Sequence, residues 1–144
     1  MICKPDAVER GLVGEIVGRM EARGLRLVAG EVRRIDVETA ERHYDEHRRE
    51  DFFAGLVAYI SRSPAFVAVV EGPPGTWRMV RTMVGPTNPA DAAPGTIRGD
   101  LALTTRENLV HASDGPGSAS REIGLFFPSL AGPPAGAPEP GDLA

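Results

Sequence analysis

Leu12, Val13, Ile16, Val17 and Met20 recur at spacings of three and four, which predicts a helix over 10–23 with Gly24 as its C-terminal cap. The next apolar positions, Leu25, Leu27, Ala29, Val32 and Ile35, predict a strand with a bulge or bend at Gly30. Asp36 then caps a polar helix over 37–49, and Phe52 to Ile60 reads as a second, more apolar helix stopped by Ser63-Pro64, the two forming a hairpin. Ala65 to Val70 is a continuous apolar run between Pro64 and Gly72, the pattern of a buried central strand. Trp77, Val80 and Val84 fall on one side of a helix over 76–84.

From Gly85 to Gly99 the chain is rich in Pro, Gly, Asn, Asp and Thr without periodicity, which predicts a surface loop of about 15 residues, a length often tied to function. A strand over 101–110 then leads to His111, and a Gly- and Ser-rich turn precedes a short helix over 118–126. Only Met1-Ile2-Cys3 remain for a first, truncated strand. This order implies an α+β, ferredoxin-like split βαβ sandwich, an antiparallel sheet with helices on one face. The Pro-, Gly- and Ala-rich end cannot bury a core, so the expected organisation is one domain over 1–130 and a disordered tail over 131–144.

A net charge of −4 leaves no global basic surface for sequence-specific nucleic acid, so any anionic ligand must be held by a local cluster. An RNA-binding module of this fold is disfavoured further because the strands lack paired exposed aromatics. Cys3, the only cysteine, cannot form an internal disulfide, and neither a leader nor an apolar run of membrane-spanning length appears, so the expectation is a cytoplasmic protein without a membrane partner. Lys4 is the only lysine among 16 basic residues, in a chain that otherwise uses arginine. A compact ammonium and a flat guanidinium are not equivalent at a phosphate or hydroxyl.

The chemistry concentrates around Asn108-Leu109-Val110-His111-Ala112-Ser113-Asp114. An imidazole is partly neutral near physiological pH and can attack phosphorus without a separate base. Glu122 can fix its tautomer directly or through Ser113; the plainer alternative is a structural histidine at a strand end. Arg81, Thr87 and Arg98, with Lys4, can together hold a polyphosphate, against the alternative of a solvated loop with two surface arginines. Tyr44 and Phe52, exposed among charges, can donate to phosphate or stack on a base. His43 and His47, four residues apart, have no third ligand at a convincing spacing, so a solvated helix face is expected there rather than a zinc site, and no metal held by the protein itself. Glu71-Gly72-Pro73-Pro74-Gly75-Thr76 begins like a P-loop but continues Trp77-Arg78-Met79, without the lysine and the hydroxyl that motif requires.

Taken in order, Lys4-Pro5-Asp6-Ala7-Val8, His43-Tyr44, Phe52-Phe53-Ala54-Gly55-Leu56, Gly85-Pro86-Thr87-Asn88-Pro89-Ala90-Asp91, Pro94 to Asp100 and Asn108 to Asp114 closely resemble the nucleoside diphosphate kinase family, over a match that runs to about Leu130. The resemblance implies a ferredoxin-like homo-oligomer, tetramer or hexamer, that moves the γ-phosphoryl of a nucleoside triphosphate to a nucleoside diphosphate through a phosphohistidine, with magnesium on the nucleotide. It makes His111 the carrier and Glu122 its orienting partner. It also assigns Lys4 to the sugar hydroxyl and phosphate, Tyr44 to the γ-phosphate region, Phe52 to the base, Arg81, Thr87 and Arg98 to phosphates, and Asn108 to the ribose 3′-hydroxyl. Ala7, Ala112 and Gly115 depart from the residues common there, and the clipped first strand raises the alternative of a catalytically impaired nucleotide-binding or scaffolding member.

Overall fold

A computed structural model of the chain describes residues 1–131. The apolar run 65–70 becomes the long inner strand β3, Ala65–Glu71, with β2, Arg26–Arg33, antiparallel on one side and β1, Ile2–Cys3, antiparallel on the other. β4, Val110–His111, completes an antiparallel sheet in the order β2-β3-β1-β4. The short first strand therefore lies at the centre, with Ile2 opposite both Val67 and His111. Met1 prolongs the ladder: its ammonium donates to the Ala68 carbonyl at 2.9 Å and its own carbonyl accepts from Ala68 N.

Alternate strand residues point to opposite faces. Cys3 and Val110 belong to one buried cluster, and Ile2 and Val67 to another. The first cluster is covered by α1, Pro5–Glu9, α2, Val13–Ala22, α5, Thr76–Val84, and α6, Ile97–Leu101. The second is covered by α3, Val37–His43, α4, Phe53–Ser61, and α7, Pro116–Phe126. Helices thus cover both faces of the sheet, not one.

Several boundaries differ from the expected ones. Pro5, whose fixed φ suits a first helical position, starts α1, and Gly11 at φ 68° ends it, so the helix expected over 10–23 begins only at Val13. The irregularity of β2 falls between Leu27 and Ala29; Gly30 serves packing instead, since a Cβ there would lie 2.6 Å from the Phe66 ring. The Asp36 carboxylate caps α3 as expected, accepting from Thr39 N at 2.8 Å. That helix stops at His43, because Tyr44 leaves helical geometry to bury its ring in the second core, and only a 3-10 turn, Asp45–His47, follows.

The expected loop over 85–99 contains structure: Asn88 caps a 3-10 turn, Pro89–Asp91, and the Thr96 hydroxyl caps α6 by accepting from Gly99 N at 3.0 Å. The strand expected over 101–110 is a correction. Leu101 ends α6, Leu103 is 90% exposed, and Leu109 sits at φ 74°, so extended backbone survives only as β4. α7 begins two residues ahead of its expected start, at Pro116. The expected tail lies outside the described residues apart from Ala131. No described helix is long and apolar enough to cross a membrane.

Candidate active site

β4 delivers His111 to the floor of a cleft of about 730 Å³ between the α3–α4 hairpin and the 85–109 segment. Nearly two turns into α7, on its packed face, Glu122 meets it: His111 Nε2 lies 2.8 Å from Glu122 Oε1, and the Ser113 hydroxyl donates to Glu122 Oε2 at 2.5 Å. Burial alone acts to raise the Glu122 carboxyl, but the His111 bond and charge, with Ser113, outweigh it and bring the group down to about 2. An ionised carboxylate can only accept. Nε2 therefore carries the ring proton, and the lone pair of Nδ1 is free. Burial first, then the charges of Met1 and Lys4, lower the His111 pKa against the pull of Glu122, so the neutral ring is favoured.

The cationic wall opposite is built on two buried side chains, Lys4 and Arg98, and one exposed one, Arg81. Lys4 is held where β1 meets α1, and its Nζ donates to Asn108 Oδ1, while Asn108 Nδ2 donates to the Thr87 carbonyl at 2.9 Å. Burial, then the charge of Arg98, lowers the Lys4 ammonium to about 8. Arg98 lies on α6 with its guanidinium donating to the carbonyls of Asn108, Gly85 and Val110 at 3.2, 2.9 and 2.5 Å. Burial and the neighbouring Arg81 bring it to about 10. Arg81 on α5 donates to the Ala112 carbonyl at 3.2 Å, which ties it to the residue after the histidine. Arg98 is buried, whereas Arg81 is exposed and held to the cleft by that one bond, so only half of the expected surface pair is a surface residue.

The fold brings Lys4, Tyr44, Phe52, Arg81, Thr87, Arg98, Asn108, His111 and Glu122 to the walls of the one cleft. Two expectations change. Tyr44 is buried rather than exposed, whereas Phe52 is 53% exposed at the rim. His43 and His47 also part company: His47 turns to Glu46 at 3.5 Å on the surface, and His43 is buried edge-on against the His111 ring, with centroids 4.5 Å apart.

Two contributors were missed by sequence reasoning. Asp6 is buried and accepts from the Tyr59 hydroxyl and from Leu109 N, so it holds the backbone that carries Asn108. Its place two residues after Lys4 was the available signal. His43 enters the sequence reading as a possible partner of His47 and as a neighbour of Tyr44 in the resemblance, but without a role of its own in the site.

A neutral histidine backed by a carboxylate and faced by a lysine and two arginines, on an α+β sandwich, defines a phosphoryl-transfer enzyme. The family model described as "Nucleoside diphosphate kinase" matches residues 1–131. Nucleoside diphosphate kinases of Chloroflexus aggregans and Archaeoglobus fulgidus are 55% and 56% identical over 127 residues, which is 88% of this chain and 84% and 83% of theirs. Among solved structures, a halophilic nucleoside diphosphate kinase from Halobacterium salinarum in complex with CDP is similar at a TM-score of 0.84 and 48% identity, covering 88% of this chain and 84% of that one. The chain belongs to the nucleoside diphosphate kinase family. Its activity is phosphoryl transfer from a nucleoside triphosphate to a nucleoside diphosphate.

Proposed function

We propose that His111 is the phosphoryl carrier and that donor and acceptor nucleotides use the cleft in turn. The Nδ1 lone pair attacks the γ-phosphorus, the bond to the β-phosphate oxygen breaks, and the nucleoside diphosphate leaves. A second nucleoside diphosphate takes the group back by the reverse attack. Glu122 stabilises the charge that the ring gains as its nitrogen bonds phosphorus. Lys4, Arg81 and Arg98 neutralise the phosphate oxygens; three of the five Arg98 N–H groups are spent on carbonyls, which leaves two for a phosphate. Thr87 and Tyr44 complete the phosphate side, Asn108 and Lys4 meet the sugar hydroxyl, and Phe52 stacks on the base.

Magnesium, carried in on the phosphates, would supply further neutralisation of their charge. Asp114, an exposed carboxylate on the cleft wall whose Oδ1 accepts from Ser118, suits a hydrated ion held mainly by the nucleotide. We read residues 1–130 as one catalytic domain, since the two clusters meet at β1, and the chain as a cytoplasmic homo-oligomer, tetramer or hexamer. The lone, buried thiol of Cys3, pushed up to about 12 by burial, suits a reducing compartment.

The observation that carries this reading is the 2.8 Å contact of Nε2 with Glu122, which leaves Nδ1 as the attacking atom. Incubation with γ-labelled ATP and magnesium should leave an acid-labile, base-stable label that is absent from a folded His111→Ala variant. A folded wild-type protein that takes up no label would overturn it.

A further inference from the structure

We propose that His43, His111 and Glu122 form a site for a transition-metal ion such as Zn²⁺, and that its occupation switches off phosphoryl transfer without displacing the nucleotide. The donor atoms of the three side chains lie within 4.8 Å of one another. His111 Nε2 and His43 Nδ1 stand 2.8 and 3.9 Å from Glu122 Oε1. Those two separations bracket the roughly 3.3 Å edge of a tetrahedron with ligands at about 2.0 Å, and the remaining His43–His111 pair, within 4.8 Å, closes by side-chain rotation to bring all three to one ion.

The second, independent observation is His43 itself. It is 2% exposed, and among the described residues neither ring nitrogen has a hydrogen-bond partner. A buried imidazole ordinarily has its nitrogens bonded, and one left without a partner loses a bond of about 1–3 kcal/mol. His43 Nδ1 is turned toward Glu122, and an ion there would supply the missing interaction. Two imidazoles and one carboxylate make a donor set that favours Zn²⁺ and its neighbours over Mg²⁺, which takes oxygen ligands. His111 and Glu122 line the cleft, so the ion has an entry path from solvent, which also supplies the fourth vertex.

The consequence follows from counting lone pairs on one ring. A neutral imidazole has one N–H and one free lone pair. When the ion takes the Nε2 lone pair, the ring proton moves through solvent to Nδ1, and the pair that would attack phosphorus is consumed. No electron changes hands, and removing the ion restores the first tautomer. The cationic wall of Lys4, Arg81 and Arg98 is untouched, so nucleotide binding persists. The inhibitory half rests on His111 being the carrier; the binding half does not.

Calorimetric titration of the full chain with ZnCl₂, in excess magnesium, should show one tight equivalent, and Co²⁺ should give the intense visible bands of a tetrahedral site. His43→Ala and Glu122→Gln should each weaken binding by about tenfold or more, the scale of loss when a metal site is stripped of a supporting group. His47→Ala should leave binding unchanged. Circular dichroism confirms that each variant is folded, and the glutamine variant serves if His43→Ala is not. Absent binding to the wild type, binding retained in folded His43→Ala or Glu122→Gln, or binding lost with His47→Ala would each overturn the site. In the second arm, zinc should abolish labelling by ATP while ADP affinity stays within about twofold, and chelation should restore it. Persistent labelling of a zinc-saturated protein would overturn the switch, whereas a zinc-free protein that never labels would sink the carrier reading instead.

Discussion

Lys4 shows how one residue ties the fold to the chemistry. Its ammonium is sunk beside Asn108 because the chain turns from β1 into α1 there, and burial with the nearby Arg98 lowers it to about 8. Below that value Lys4 is charged and attracts phosphate; above it the charge is lost. For the free enzyme, kcat/KM should therefore fall above about pH 8, approaching tenfold per unit. His111 shifts the other way in effect: its lowered pKa keeps the ring neutral, so the acid limb should begin below the ordinary histidine range. A profile from pH 5 to 10 checks both limbs. Lys4→Arg should be slower throughout and show its alkaline fall at higher pH, since a guanidinium holds its proton to higher pH than an ammonium in the same place. An alkaline limb unchanged in that variant would assign it to another group.

At the scale of elements, the 102–109 segment carries Asn108 and leads into β4, although it has almost no regular structure of its own. It is held by a latch from α1: Asp6 accepts from Tyr59 and from Leu109 N at 3.1 Å, and Lys4 N donates to the Leu109 carbonyl at 2.8 Å. Asp6→Ala leaves a buried hydroxyl and a buried N–H without their acceptor. Unfolding free energy should drop by about 2–5 kcal/mol in chemical denaturation, with nucleotide affinity weakened because Asn108 is released. The same latch explains what the sequence did and did not disclose. Lys4, Arg98, Asn108 and His111 were legible because each sits in a short run whose residue types state their chemistry. The helices with regular apolar spacing, α2 and α5, were legible for a similar local reason. The strand expected over 101–110 was not, because Leu109, at a positive φ, gives its N–H to Asp6, 103 positions away, rather than to a neighbouring strand. Tyr44 likewise ends α3 for the sake of a core assembled from α4, α7 and β3, which no local window contains.

For the whole molecule, the decisive contrast is between a chain of net charge −4 and a cleft walled by Lys4, Arg81 and Arg98. The remaining surface must carry the negative excess, and on it the edge strand β2 stands out. It is last in the sheet, and it exposes Val28 and Val32, the latter 62% accessible. An edge strand with unpaired backbone groups and exposed branched apolar side chains is a template for association, and folded monomers usually guard such edges with charge. A copy of the chain that pairs there would cover both liabilities at once, and the two-fold symmetry common among homo-oligomers makes the same patch serve on each protomer. Val32→Lys places an ammonium in that contact without touching the cleft. Light scattering after size exclusion should then report a smaller species than the wild type, with a melting temperature that is lower than the wild type's and, unlike it, independent of protein concentration. The phosphohistidine should still form on His111 in the dissociated variant, because every residue assigned to the reaction comes from a single chain. A variant of unchanged mass would move the interface away from β2, and one that dissociates but no longer labels would show that the cleft depends on its neighbour.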